Sequence, residues 1–367
     1  MKPVRPADPA IREIFAVLPA TRRRSRMAMG VGLYLVCLTL YGLTAWGMFA
    51  AQPWLAGLCV AANGVTIAML FLIGHDACHG SLTPSRWVNR LVGRLAFLPT
   101  FHLFSGWAKS HNLKHHAYTN LKGFDPGYPP FTKEEFDQLS FGRRLRERIY
   151  RTIPGIGLYY LIEIWWIGQV FPSKDDAPPN RTEFQWDRAL VFAYIALQCA
   201  AVYALTRSLD YQYPAAMTAL FVFVPWNVFL WFMGFVTLQQ HTHPDIAWFD
   251  NEDEWNFYRA HVAGTTQVHM PWLIEVFFLN IFEHGAHHVD PLIPLYELAP
   301  SQKALNEAYS EDIRIVHATP WTLWNTLRCC KLYDYRRHEW LDFRGRTTAK
   351  ARLPQVAAST SALGAAG

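Results

Sequence analysis

The sequence predicts an all-α integral membrane protein with four transmembrane helices in two hairpins and a cytoplasmic helical cap that holds a two-metal site. Three observations predict this fold class. The 367-residue chain is 51% hydrophobic and 15% aromatic but only 17% charged, which is too apolar for an average soluble domain. Long, nearly uncharged runs occur in two regions of the chain, and eight of its 15 histidines form three short clusters.

The uncharged runs are long enough for two pairs of spans, because a helix needs about 20 apolar residues to cross a bilayer. We predict spans at residues 27–51 and 54–74, with a turn near Gln52-Pro53, and at residues 189–206 and 213–236. Residues 153–172 are also apolar but carry Glu163 near their middle. An acid at the bilayer centre costs about 2.5–3.5 kcal/mol, so an interfacial helix is predicted there.

The distribution of basic residues predicts the orientation of these spans. A basic run at residues 21–26 precedes the first span, and 14 Lys and Arg residues lie between Gly74 and Asp187. The two short connections on the opposite side contain a single basic residue, Arg207. Because cytoplasmic loops carry the positive charge, both termini and the middle loop are expected in the cytoplasm. This topology puts all three histidine clusters on one side, whereas three or five spans would not.

The predicted spans and their orientation divide the chain into three parts. Residues 1–26 form a cytoplasmic arm, and residues 27–345 form the membrane domain, with a cytoplasmic cap at residues 75–187 and 237–345. The Ala- and Ser-rich tail at residues 346–367 is predicted to be disordered. The net charge of +5 is explained by the positive cytoplasmic loops, so no nucleic-acid binding is predicted.

The histidine clusters have the spacing of metal ligands on helices. They are His75-x3-His79, His111-x3-His115-His116 and His284-x2-His287-His288. Residues three and four apart share one face of a helix, so each cluster can present at least two imidazoles together. Eight imidazoles exceed the need of one ion. Many neutral nitrogens with few carboxylates suit two five- or six-coordinate redox ions, although imidazole also binds zinc, copper and nickel.

With these clusters the chain resembles the membrane fatty acid desaturases, whose three His boxes have the forms His-x3/4-His, His-x2/3-His-His and His/Gln-x2/3-His-His. Residues 74–80 (GHDACHG), 240–244 (QHTHP) and 250–255 (DNEDEW) are similar to the Δ12/ω-3 acyl-lipid branch. The resemblance covers roughly residues 55–300. The second box has three intervening residues, where plant-type members usually have two, so the regiochemistry stays open.

The resemblance implies an O2-dependent, non-haem di-iron desaturase that introduces a double bond into a long-chain acyl lipid, in a Δ12-like position. It implies two Fe ions bound by the eight box histidines and by a ninth histidine before the third box. For this ninth ligand we favour His241, which follows Gln240, over His243, which precedes Pro244. The acyl lipid would come from the bilayer, and the site would face the cytoplasm, in a bacterial inner membrane.

Electrons must come from outside, because the sequence contains no haem-binding or flavin motif. The resemblance implies a ferredoxin or cytochrome b5 type donor, for which the basic run at residues 143–151 is a candidate docking site. Four acids adjacent to the boxes could accept the second ring N–H of a ligand, namely Asp76, Asp125, Glu283 and Asp290. Five histidines without a partner at ligand spacing are predicted to be structural: His102, His261, His269, His317 and His338.

Three alternative functions remain at this point. A hydroxylase or ketolase of the same three-box superfamily would share the metal site, and sequence separates these enzymes poorly. An intramembrane zinc protease is suggested by His75-Asp-x-x-His79, which differs from His-Glu-x-x-His by one methylene, but it leaves six box histidines unexplained. A metal transporter is disfavoured because transport sites lie near the bilayer midplane, whereas these clusters follow the ends of the spans.

Overall fold

The computed structural model describes residues 8–50 and 52–354 and is mostly helical. The α-helices of the described part are α1 (Ile11–Val17), α2 (Met27–Gly47), α3 (Pro53–His79), α4 (Arg86–Phe97), α5 (Phe104–Trp107), α6 (Lys133–Gln138), α7 (Phe141–Tyr150), α8 (Gly155–Tyr159), α9 (Arg181–Ser208), α10 (Pro214–His241), α11 (Trp272–Phe277), α12 (His284–Val289), α13 (Leu298–Ala308) and α14 (Pro320–Cys329). Wider, π-helical turns occur at Ala108–His115, Tyr160–Val170 and Tyr258–Val262, and one 3₁₀ turn at Leu295–Glu297.

Within residues 8–50 and 52–354, four helices are long and apolar enough to cross a membrane: α2, α3, α9 and α10. The prediction of four spans is confirmed at this level. The apolar stretches of α3 and α10 are 61% and 50% buried, whereas those of α2 and α9 are 17% and 11% buried. Helices α3 and α10 therefore form the inner pair. At their contact, a Cβ on Gly64 would lie 2.6 Å from Cβ of Val228, so only glycine permits this approach.

Two of the long helices continue past the predicted ends of their spans. The second span was expected to end at residue 74, but α3 runs to His79, where Gly80 adopts a left-handed conformation (φ 79°) and stops the helix. The fourth was expected to end at residue 236, but α10 runs to His241. Hydropathy marks only the apolar part of a helix, so it misses these polar last turns. The extensions bring His75, His79 and His241 onto long, well-anchored helices.

Between the two pairs of long helices, the predicted interfacial helix at residues 153–172 is present as α8 followed by the π-helical turn Tyr160–Val170. Its acid is neutralised within the protein: Glu163 lies 2.9 Å from Nη1 of Arg143 and accepts a hydrogen bond of 2.8 Å from the Tyr150 hydroxyl. Trp166 and Ile167 are 47% and 43% exposed.

The chain after α10 contains short strands, which the all-α prediction did not include. Strands β1 (Thr266–His269) and β2 (Arg314–His317) pair in parallel. Strands β3 (Leu332–Asp334), β4 (Glu339–Leu341) and β5 (Thr347–Lys350) form an antiparallel sheet.

Strand β5 also corrects the predicted disordered tail at residues 346–367. Its Thr348 hydroxyl donates to the carbonyls of Trp340 and Cys329. The rest of that tail from residue 355, and the first seven residues of the N-terminal arm, lie outside the described residues.

Candidate metal centre

Among the residues that the structure describes, nine histidines come together in two adjacent groups. In each group, one ring nitrogen of every histidine lies within 4.8 Å of one ring nitrogen of each other member. The five-histidine group contains His75, His79, His111, His116 and His287. The four-histidine group contains His115, His241, His284 and His288. These are the nine histidines named from the sequence, and each group draws on more than one cluster.

The five-histidine group is built on the last two turns of α3, which present His75 and His79 four residues apart, as the spacing predicts. Nε2 of His111 lies 2.8 Å from Nε2 of His75 and 3.1 Å from Nε2 of His116. His287 completes the group, and its ring centroid is 4.7 Å from those of His75 and His116.

The second cluster does not present His111 and His115 on one face, as an α-helix would. It lies on a π-helical turn, in which the His116 N–H donates to the His111 carbonyl five residues earlier, over 2.9 Å. Because hydrogen bonds from i to i+5 align residues five apart, His111 and His116 join the same group and His115 is directed to the other. The cluster thus brings two imidazoles together, as expected, but they are His111 and His116, five residues apart, and not residues three or four apart.

The four-histidine group joins α10 to α12. Nε2 of His241 lies 2.7 Å from Nε2 of His284, and the His241 ring centroid is 4.5 Å from that of His115. His284 and His288 are four residues apart on α12, whereas His287 turns to the other group. His243 lies outside both groups and accepts a hydrogen bond of 3.1 Å from the Asp245 backbone N–H.

Two hydrogen bonds orient rings of the four-histidine group. Nδ1 of His115 donates to Asp125 over 2.7 Å, and this carboxylate also accepts the backbone N–H groups of Asn120 and Gly127. The Thr119 hydroxyl donates to the His115 carbonyl, so it accepts from Nδ1 of His288, 3.1 Å away. Both contacts place a proton on Nδ1 and leave Nε2 as a lone-pair donor.

The other three acids near the boxes bond elsewhere, so Asp125 is the one of the four that accepts a ring N–H. Asp76 accepts the backbone N–H of Leu295 over 3.1 Å. Glu283 accepts from Nε2 of Gln267, and burial raises the pKa of this carboxyl to about 7. Asp290 pairs with two arginines of the N-terminal arm. Thr119 was missed from the sequence, because nothing in its local pattern indicates contact with residue 288.

The donor set fits two cations. Several buried ring nitrogens have no hydrogen-bond partner among the described residues, including Nε2 of His79, both nitrogens of His287 and Nε2 of His288. Buried polar atoms without partners are rare unless an ion satisfies them. Burial, reinforced by neighbouring histidines, holds the pKa of His284, His287 and His288 well below the usual imidazole value. These rings are therefore neutral and can donate lone pairs to a metal.

The histidines predicted to be structural stay outside both groups. His102 bonds to the Thr100 carbonyl and to the Tyr160 hydroxyl, at 2.8 and 3.0 Å, and burial lowers its pKa to about 3. His261 lies nearest to the centre, with its ring stacked 5.7 Å from that of His288. Burial likewise lowers the pKa of His261 to about 3.

An apolar cavity reaches both groups. Five of the nine histidines contribute to its wall: His75, His111, His115, His241 and His284. Most of the remaining wall is apolar and comes from α3, the π-helical turn Tyr160–Val170 and α10, including Phe71, Leu72, Ile164, Met233 and Val236. A mainly apolar wall with a few convergent polar groups is typical of a site for an apolar small molecule.

Comparison with known proteins matches a family model described as fatty acid desaturase over residues 51–319. The chain belongs to the fatty acid desaturase family. It is 29% identical to the chloroplastic omega-6 fatty acid desaturase of Spinacia oleracea, over 90% of this chain and 71% of that protein. It is 28% identical to the sn-1 oleoyl-lipid 12-desaturase of Picosynechococcus sp., over 92% of this chain and 91% of that protein. It is 30% identical to the chloroplastic omega-6 fatty acid desaturase of Glycine max, over 82% of this chain and 68% of that protein.

As a fatty acid desaturase, the protein is an oxidoreductase of lipid metabolism. The names of these relatives confirm the resemblance to the acyl-lipid Δ12 branch that the three His boxes indicated. The desaturase also has a second opening near its histidines: a groove lined by His79, Arg86, Arg90, Lys109 and Leu113. His79 is partly exposed, so this groove connects the five-histidine group with the surface.

Proposed function

We propose that the protein is an O2-dependent di-iron desaturase that introduces a double bond into a long-chain acyl lipid, in a Δ12-like position. The observation that carries the proposal is the apolar cavity whose wall includes members of both histidine groups. An acyl chain is the apolar molecule that suits this wall. The relatives named as omega-6 and sn-1 oleoyl-lipid 12-desaturases support the Δ12 position.

We assign the five-histidine group and the four-histidine group as the ligands of the two ions, with His241 as the ninth ligand. When bound, two iron ions would supply the redox chemistry with O2 that removal of hydrogen from a saturated C–H bond requires. In the overall reaction the acyl chain loses two hydrogen atoms, and O2 is reduced to two water molecules by these hydrogens together with two electrons from an external donor and two protons from solvent.

The residues of the chain prepare this site in three ways. Asp125 and Thr119 hold the protons on Nδ1 of His115 and His288, so the Nε2 atoms stay free for metal. Phe71, Met233 and Val236 line the cavity beside the histidines, where they pack against methylene groups and exclude water. Glu163 also lines the cavity, but its charge is neutralised by Arg143, which keeps an unpaired carboxylate away from the acyl chain.

The membrane arrangement is part of the proposal. We infer two hairpins, α2–α3 and α9–α10, with the histidine-bearing cap in the cytoplasm and the protein in a bacterial inner membrane. Support comes from His79 and His241, which end α3 and α10 and lie in the joined histidine groups. Both C-terminal ends are therefore on one side of the bilayer, as in the positive-inside reading of the basic residues.

An external electron donor of the ferredoxin or cytochrome b5 type completes the proposal. Of the basic run at residues 143–151, Arg143 and Arg146 both face Glu163 and Arg151 is 7% exposed, which leaves Arg144 and Arg148 without a salt bridge among the described residues. We favour the groove at His79 for docking, because its lining joins Arg86 and Lys109 to a member of the five-histidine group.

The test is gas chromatography–mass spectrometry of total fatty acids from a bacterial host that expresses the chain. His284→Ala is the matched control, because it removes one member of the four-histidine group and is expected to abolish activity while the protein stays in the membrane. A new unsaturated acyl chain, absent from the control, supports the proposal, and derivatisation locates its double bond. A hydroxylated or keto product would instead assign the protein to the sibling oxygenases.

A second arm addresses a host that lacks a compatible donor. Purified, iron-loaded protein is incubated with a reduced ferredoxin and with vesicles that contain an oleoyl glycerolipid. Formation of a second double bond supports the proposal, and its absence in the presence of O2 and reduced donor would contradict the acyl-lipid substrate.

A further inference from the structure

The N-terminal arm lies against the elements that carry the third His box. Ile14 of helix α1 is fully buried in the main core, and Leu18, directly after α1, is 5% exposed. Phe15 packs on Phe257 with ring centroids 6.3 Å apart. We call residues 8–26 the N-terminal strap. From the sequence alone its basic residues were explained by membrane topology, but a purely topological signal does not need fixed partners inside the protein.

Two arginines of the strap share one buried carboxylate. Nε of Arg22 lies 2.9 Å and Nε of Arg23 lies 2.7 Å from Oδ2 of Asp290, whose side chain is 1% exposed. Asp290 directly follows α12 and is two residues beyond His288. Both guanidinium groups also lie over the Phe15 ring, at 5.4 and 5.9 Å from its centroid. A buried carboxylate that loses its partners is strongly unfavourable, so this contact restrains the end of α12.

The other end of the strap is also anchored near the histidines. Asp8 pairs with Nε of Arg259 at 2.8 Å and accepts a hydrogen bond of 2.5 Å from Asn256. Arg259 belongs to the π-helical turn Tyr258–Val262, which packs on α12 and carries His261 beside His288. The strap therefore contacts both the end of α12 and the segment packed against it.

Helix α12 needs such restraint. It has only six residues yet supplies His284, His287 and His288, which are divided between the two histidine groups. A helix this short is not stable alone, because nucleation is costly and few internal hydrogen bonds form. Its orientation must come from contacts with the rest of the protein, and a metal site requires ligands held closely in place.

We propose that Arg22 and Arg23 are positioning residues for the metal centre: through Asp290 they hold α12 so that its three histidines reach both groups. The inference rests on the proposed metal-binding role of these histidines. Other basic residues of the strap provide an internal control. Arg24 is exposed and makes no side-chain bond within the described part of the chain. Arg26 is as exposed as Arg23, but its partner Glu297, at 3.3 Å, is 21% exposed, whereas Asp290 is 1% exposed.

The test compares two double variants of the full-length protein that remove the same charge, Arg22→Ala/Arg23→Ala and Arg24→Ala/Arg26→Ala. The iron content per chain is measured after purification in detergent. The rate at which the protein loses iron to an excess of chelator is measured next. Gel filtration selects the monodisperse, folded fraction of each variant. We expect Arg22→Ala/Arg23→Ala to release iron about tenfold faster than the wild type, the lower end of the effect of residues that orient ligands. Arg24→Ala/Arg26→Ala should stay within about twofold, as expected for exposed charges.

Further variants separate positioning from a general loss of stability. Arg22→Lys/Arg23→Lys keeps both charges and should restore most of the slow iron release. An effect of basic charge on membrane topology would instead accelerate release equally in Arg22→Ala/Arg23→Ala and in Arg24→Ala/Arg26→Ala. If Arg22→Ala/Arg23→Ala does not fold, the single variants Arg23→Ala and Arg24→Ala are compared, and only the former should accelerate release. Equal release from both members of the pair, or wild-type release from Arg22→Ala/Arg23→Ala, would overturn the inference. A wild type that binds no iron would instead contradict the proposed function.

Discussion

The five-histidine group and the four-histidine group differ in how their rings are held. In the four-histidine group all members are buried, and two of the rings are fixed by the hydrogen bonds that they donate to Asp125 and Thr119. In the five-histidine group His79 and His111 are partly exposed. His111 is held by stacking on Trp107, with centroids 4.5 Å apart and an interplanar angle of 25°. The rings of the four-histidine group are thus oriented mainly by hydrogen bonds, and those of the five-histidine group mainly by packing against neighbouring rings.

The two groups also face different surroundings. The apolar cavity is lined by three members of the smaller group and also by His75 and His111 of the larger group, whereas the groove with Arg86 and Lys109 is reached only by the larger group, through His79. A metal held by the smaller group would have one histidine ligand fewer than a metal held by the larger group. This comparison suggests a division of roles, with the acyl chain on the side of the four-histidine group and the electron donor on the side of His79.

The largest expected effect separates a member of the four-histidine group from its near neighbour. His241→Ala should lose about one of the two ions and lower product formation by at least about a hundredfold, because a ligand is removed from a group that has only four. His243→Ala should stay within about twofold, since His243 lies outside both groups. Iron content and product are measured by mass spectrometry. Equal damage from both substitutions would contradict the assignment.

A smaller effect is expected from Asp125→Asn, which keeps the shape of the side chain but removes the charge that holds His115. Loss of such a partner typically lowers metal affinity about 10–100-fold. Because Asp125 contacts only the four-histidine group, one ion should be lost to a chelator faster than in the wild type and the other at the wild-type rate. A uniform acceleration of both phases would show that the two groups are not oriented independently.

The smallest effect is expected from Thr119→Val, which replaces the hydroxyl by a methyl group of similar size. The Nδ1 proton of His288 then has no acceptor at this position, a loss of about 1–3 kcal/mol for a buried group. Faster release of iron from the four-histidine group should follow, by less than in Asp125→Asn. Thr119→Ser keeps the hydroxyl and should behave as the wild type. An identical defect in both Thr119 variants would mean that packing, and not the hydrogen bond, matters.

The parts of this centre that could be predicted from sequence are those with a local signal. Hydropathy identifies the four long helices, and the i, i+4 spacing of His75 and His79 predicts their common direction on α3. The pairing of His111 with His116 could not be predicted, because a π-helical turn is stabilised by tertiary contacts and has the same histidine pattern as an α-helix. The three histidines of α12 belong to different groups, and this assignment depends on packing as well.

The remaining features depend on contacts between distant residues. Arg22 and Asp290 are 268 residues apart, and Thr119 and His288 are 169 residues apart, so no periodicity in one segment reports either contact. Strand β5 was missed because its Thr- and Ala-rich sequence resembles the adjoining tail, and its structure comes from pairing with β4. Local pattern therefore identified the nine histidines, while tertiary packing determines how they are grouped and oriented.

The measurement that tests the central claim most directly is the metal content of the purified full-length protein, determined by elemental mass spectrometry beside His241→Ala. The proposed di-iron site predicts about two iron ions per chain in the wild type, one for each histidine group, and about one in the variant. One zinc ion per chain, or iron content that does not respond to the loss of His241, would contradict the account.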